Sequence, residues 1–181
     1  TTPTVIYDVE SNTLTLNGAV INDSQTASAD RIINYKGTED LTIAIKGNTN
    51  TAAKIAYSGT GTPNLIFSKA EDGCKLTLER SYDNFNSVIE GFADVQFTNT
   101  YFSSAKPYTY DTTNKVLINP TLISNDIYYK LNQVIVTSTV CYKLWVSTTQ
   151  VTEENATNVL GNSTATFTAP STLNLSGVCM I

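Results

Sequence analysis

Tyr82, Asp83, Asn84, Tyr101, Lys106, Tyr108 and Tyr110 have the side-chain types in this sequence best suited to holding a ligand. Aromatic faces stack on sugar rings, while Asn, Asp or Lys beside them bond the hydroxyls. Most of these residues fall in "YFSSAKPYTY" (101–110), where Pro107 stiffens the loop and lowers the entropy lost on binding. The insertion "ERSYDNFN" (79–86) would bring Tyr82, Asp83 and Asn84 to the same side if it projects as a loop. Packing competes for the same rings. Phe92, Phe97 and Phe102 are expected to point inward, and the tyrosines have an alternative use, sealing a core against a hairpin that carries Trp145. Solvent exposure of Tyr108 and Tyr110 separates the two uses.

Other chemistries are poorly served. With 0 His, the chain lacks the commonest general base and metal ligand, and neither a Ser-His-Asp nor a Cys-His arrangement can form. Cys74, Cys141 and Cys179 are too scattered for a zinc site, so no metal and no cofactor is expected. Asp72, Asp83, Asp94 and Asp111 stand alone in sequence, and "TED" (38–40) and "AED" (70–72) read as solvated turn acids. The glycines of "YSGTGTPN" (57–64) have no Lys and no helix after them, so they form a turn and not a phosphate loop. The T-x-T stretches lie in turns at unequal spacing, unlike a flat ice-binding face.

Composition narrows the class further. The chain has 181 residues, 41% of them apolar, enough for a buried core. Only 15% are charged, and 29 Thr, 18 Asn and 15 Ser take their place. Such a neutral polar surface suits a secreted or cell-surface bacterial β-protein. A net charge of −5 without a basic stripe argues against nucleic acid and anionic membranes as partners. No apolar run is long enough to insert into a membrane. "TTPTV" at the start has no charged or apolar leader, as expected if a signal segment has been removed or the chain belongs to a longer protein. Free, mostly buried thiols are expected; a Cys141–Cys179 bridge is the alternative in an oxidising compartment.

The elements that must position these groups are strands. Helical periodicity is nearly absent, the best candidate being a turn or two at "TEENATNVL" (152–160) with Thr152 as cap. "RIINYKG" (31–37), "KIAYSG" (54–59) and "SVIEGF" (87–92) each centre on an Ile and close on Gly, and each is followed by an L-x-I-like strand. Repeating circuits of roughly 20–30 residues whose strands stack on their equivalents predict a parallel β-solenoid over 1–104. Ile33, Ile55 and Ile89 should form one inward ladder, and Leu41, Leu65 and Val95 a second. Residues 105–181 read as an antiparallel β module capping the open end. There "YTYDTTNKVLI" makes two strands around a turn and "YKLWVSTTQVT" a hairpin. "TVIY" with "LTLNGAVI" near the start returns as "TATF" with "LNLSGVCM" near the end, so the chain closes on a partial repeat of 4–21.

The segment 142–177 resembles a junction that recurs in large surface or secreted proteins of gut bacteria, "LWV-x-G-x-QVT-x-x-N" leading through "VLG" to "Y-D-x-x-x-N-TLTL-x-x-A". Leu144-Trp145-Val146, Gln150-Val151-Thr152, Asn155 and Val159-Leu160-Gly161 match its first part, and "YDVESNTLTLNGA" (7–19) its second. Ser147-Thr148 replaces the usual turn Gly, and "TFTAPST" replaces "YD-x-x-x-NT". The resemblance implies a short right-handed parallel β-helix of the pectin-lyase-like class, often regarded as carbohydrate-binding. Function is therefore expected to be a non-catalytic, adhesive or carbohydrate-binding module whose partner is a glycan or a host or bacterial surface component. The alternative is a polysaccharide lyase or glycoside hydrolase with a shortened β-helix. Missing His, sparse acids and few Arg weigh against it, since a lyase needs a base and cations for its enolate-like intermediate.

Overall fold

The computed structural model describes residues 4–21, 32–79, 87–122, 130–131, 133–169 and 171–176. A hairpin of β1 (Thr4–Asp8) and β2 (Thr13–Asn17) opens the chain. Circuits of three strands follow: β3 (Val20–Ile21), β4 (Ile32–Tyr35) and β5 (Leu41–Lys46), then β6 (Asn50–Ala52), β7 (Lys54–Tyr57) and β8 (Leu65–Lys69). A further circuit holds β9 (Lys75–Glu79), β10 (Ile89–Glu90) and β11 (Val95–Thr98). Shorter strands come next: β12 (Tyr101–Ser103), β13 (Thr109–Asp111), β14 (Val116–Ile118) and β15 (Gln133–Thr137). Two hairpins end the described chain, β16 (Cys141–Val146) with β17 (Thr149–Thr152) and β18 (Ala165–Thr168) with β19 (Thr172–Leu175).

Each circuit lays one strand on each of three five-stranded sheets, ordered β1-β2-β5-β8-β11, β3-β6-β9-β15-β12 and β4-β7-β10-β14-β13. Successive circuits pair in parallel, and both expected ladders are present. Ile33 faces Ile55 and Ile55 faces Ile89; Leu41 faces Leu65 and Leu65 faces Val95. Alternation along each strand turns these positions inward, and stacking buries all but Ile33, which is half-buried on the outermost strand of its sheet, because no single circuit can cover its own apolar residues. A third rung set, Leu14, Ile43, Phe67 and Phe97, runs along the first sheet. The closing glycines have a steric cause. A side chain at Gly59 would meet the Lys36 carbonyl at 2.7 Å, and Gly91 has φ +89 against the Tyr57 carbonyl. Buried Lys54 forms an ion pair with Glu90 on the next circuit.

Three expectations need correction. The division at residue 104 falls inside a shared core, because β14 and β15 belong to the same sheets as the circuits. β14 pairs antiparallel between β10 and β13, and β15 between β9 and β12. Their cause is the open edge that the last full circuit leaves, which Val134 and Val136 of β15 and Leu117 of β14 cover while joining the core. A second cluster begins only in the β16–β17 hairpin: Val146, Val151, Val159, Ala165 and Phe167. Phe97 shares the inward face of Phe67 and packs on Phe102, as expected, but is 39% exposed, since it occupies the last rung of its ladder among the described strands. Residues 152–160 form turns and no helix. Thr152 does cap, since Asn155 accepts from the Thr152 N–H at 2.8 Å and its own N–H reaches the Thr152 hydroxyl, but the Val159 N–H, which a helix would bond to the Asn155 carbonyl, donates to the Ala165 carbonyl at 2.9 Å.

Candidate functional site

The aromatic stretch forms a seam, and its rings are not open platforms. Tyr108 lies edge-to-face on Phe102, with centroids 5.3 Å apart, and on Trp145 at 5.8 Å. Its hydroxyl donates to the Phe102 carbonyl at 3.0 Å, and the Lys143 amine stands 5.8 Å from its ring centre. Tyr110 donates to the Phe92 carbonyl at 2.8 Å and packs on the coil core. Across the seam, the Trp145 indole donates to the Ser104 carbonyl at 2.8 Å, and the Gln150 side chain accepts from the Ser104 N–H at 2.8 Å. Tyr101 is half-buried on β12 and Lys106 is exposed beside Pro107. The stretch thus joins the circuits to the β16–β17 hairpin, the sealing use of these tyrosines. Tyr82, Asp83 and Asn84 lie outside the described residues, as does Cys179; Cys74 and Cys141 are free and buried.

Burial pushes the Tyr108 hydroxyl up from 10.0 to about 12 and shifts Tyr110 upward as well. Cys141 rises to about 11 for the same reason. These groups are held neutral in the fold but ionise more readily once unfolded, so their contribution is complete below the unfolded values and is lost as pH climbs toward the folded ones. Stability measured by urea denaturation should therefore fall between pH 10 and about 12. A Tyr108→Phe, Tyr110→Phe chain should lose less over that interval; an identical fall in both proteins would show that the phenols do not contribute.

A second arrangement was not visible in the sequence. Glu10, Ser11, Asn12, Thr38, Glu39, Asp40 and Thr42 line an open recess of about 470 Å³. Its first wall is the β1–β2 turn, where Asn12 has φ 48, accepts from the Tyr7 hydroxyl at 2.7 Å and offers its carbonyl to the Thr42 N–H at 3.0 Å. Asp8 braces that turn. Hydrogen bonds from the Ser11 hydroxyl and the Glu10 N–H hold its carboxyl below the ordinary carboxylate range. The second wall is the turn before β5. There Tyr35 donates to the Glu39 carbonyl at 2.8 Å, and Asp40 accepts from the Asn64 N–H at 2.7 Å and from its amide at 3.2 Å. Comparison of the chain with family models, curated proteins and solved structures finds no match. The site is read from its chemistry. Hydroxyls, a carboxamide and carboxylates facing one concavity suit a polyol, because each can donate to or accept from a sugar hydroxyl.

The remaining acids do local work. Asp72 pairs with Lys69 at 2.7 Å, Asp94 caps the Val95 N–H at 2.8 Å, and Asp111 takes the Thr113 and Asn114 amides. Among the described residues no group of His, Cys, Asp and Glu is placed to hold a metal ion. Sequence reasoning set "TED" aside as a solvated turn. Its meeting with Glu10–Asn12 comes from the parallel stacking of β2 on β5, which no local signal encodes.

Proposed function

We propose that this chain is a non-catalytic extracellular β-solenoid module, adhesive or carbohydrate-binding, of a bacterial surface or secreted protein. In this reading the stacked circuits are a short right-handed parallel β-helix of the pectin-lyase-like kind, since about 98% of parallel strand crossovers are right-handed. One observation carries the binding role: the recess between the Glu10–Asn12 and Thr38–Asp40 turns presents almost only polar groups on a rigid stacked frame. Such a frame holds its hydrogen-bonding groups in place before a ligand arrives, which lowers the cost of binding. Carbohydrate would then lie across two turns of the stack, away from the aromatic seam.

A glycan array run beside a turnover assay on the same polysaccharides tests this. Binding without new reducing ends or unsaturated products is expected. Glu10→Ala with Glu39→Ala should abolish binding and leave the melting temperature within about 2 °C, as for exposed substitutions. Turnover of any polysaccharide would favour the shortened β-helix lyase or hydrolase instead.

A further inference from the structure

β1 ends its sheet, and no described strand pairs with its outer side. At five residues it is the longest of the strands that edge the three large sheets. Long edges are usually blunted by a charge, a proline or a bulge. Val5, Ile6 and Tyr7 supply none of these. They stand 52%, 59% and 45% exposed and pair with β2 without a break in register.

The neighbouring strands fix where the free backbone groups of β1 point. The Thr42 N–H bonds the Asn12 carbonyl, so Asn12, Leu14 and Leu16 turn their amides and carbonyls toward β5. Thr13, Thr15 and Asn17 therefore turn theirs toward β1, where Asp8, Ile6 and Thr4 face them. The N–H and C=O of Val5 and of Tyr7 are left pointing away from the sheet.

One strand matches that edge in spacing and in chemistry: β1 of a second copy. Laid antiparallel about Ile6, each copy's Val5 faces the other's Tyr7, and the outward groups pair off as backbone hydrogen bonds. Ile6 meets Ile6 between those pairs. Asp8 falls opposite Thr4, so no like charges meet. A slip of two residues one way sets Asp8 against Ile6. A slip the other way sets Tyr7 against Pro3, which has no N–H to give.

We propose that this chain associates with a second copy through β1, the two first sheets joining across a two-fold axis at Ile6. The same surface is used on both copies, so the contact closes as a dimer. A single strand pair is a small interface, and association is accordingly concentration-dependent.

Disulfide trapping in the full chain tests the register. In Ile6→Cys the new thiols would lie opposite one another with Cα atoms about 4.5 Å apart, within the range a disulfide needs. Mild oxidation should convert most of the chain to a covalent dimer, above the parent's own background. Val9→Cys is the control. Val9 is more exposed, at 74%, but would lie about 20 Å from its symmetry mate and should give about tenfold less dimer. Equal trapping of the two variants, or none in Ile6→Cys, would overturn the proposal. Val5→Pro gives an independent readout by sedimentation velocity, because it removes an outward N–H and leaves the β1–β2 ladder intact. The parent should dimerise as concentration rises, and Val5→Pro should stay monomeric with the parent's melting temperature. A parent that stays monomeric, or a Val5→Pro chain that dimerises as well as the parent, would also overturn it.

Discussion

Ile55→Asp should unfold the chain or lower its melting temperature by about 10 °C or more, on the scale of about 2–4 °C per kcal/mol for a chain of this size. Ile55 is fully buried at the middle rung of its ladder, with Ile33 on one side and Ile89 on the other. Its N–H bonds the Val88 carbonyl of the next circuit at 2.9 Å, so the backbone cannot rotate the side chain away without breaking the stack. A carboxylate there would lose its water with no cation in the ladder, a lesion costing several kcal/mol, about half of a typical domain's stability. Ile55→Val removes one methyl group and should cost only about 0.5–1.5 kcal/mol. Val20, 66% exposed, supplies the control: Val20→Asp should leave the melt nearly unchanged. An Ile55→Asp chain melting with the parent would mean that this ladder is not core.

The second large effect is expected at a polar residue. Asn50 is 1% exposed and ties neighbouring circuits together through one side chain. Its Oδ1 accepts from the Ala19 N–H at 2.9 Å, and its Nδ2 donates to the Lys46, Gly47 and Lys75 carbonyls at 2.8, 3.2 and 3.1 Å. Asn50→Leu keeps the branched shape of the side chain and strands these backbone groups, each at about 1–3 kcal/mol. A loss of several kcal/mol in chemical denaturation is expected, larger than a leucine gained in the core would suggest. Asn50→Asp discriminates further. It keeps the acceptor for Ala19 but points a second oxygen at the carbonyls, so the deficit should be greater at pH 7 than at pH 4, where protonation restores a donor. A deficit independent of pH would show that the amide donor is not what the site requires.

The Asn50 role was hidden in "GNTN", a stretch that reads as an ordinary turn, because only the Lys46 and Gly47 carbonyls lie near the turn, while the Ala19 N–H and the Lys75 carbonyl are distant in sequence. By contrast, Ile33, Ile55 and Ile89 could be assigned to one ladder directly from their order along the chain. Each sits at the same point of a motif closed by Gly, and parallel stacking preserves order, so equivalent positions must meet. The Tyr142–Val151 hairpin and the β13–β14 pair were legible for a similar reason: alternation and a short polar turn specify a neighbour that is near in sequence.

Beyond that range the sequence stops deciding. "QVIVT" (133–137) reads as a strand, but nothing in it says that it enters between β9 and β12, because that depends on which sheet edge remains open in space. Tyr108 and Tyr110 have the same composition as a sugar platform. Only the approach of Trp145 and the Phe92 and Phe102 carbonyls turns them into a seam. The recess follows the same rule, its two walls being far apart in sequence and joined by register. Sequence alone determined the inward residues and the order of the circuits, since both follow from local alternation repeated at equivalent positions. Tertiary structure alone decided which edges were filled and which polar groups met, since hydrogen bonding between strands is the same for any sequence and selects partners by position in space.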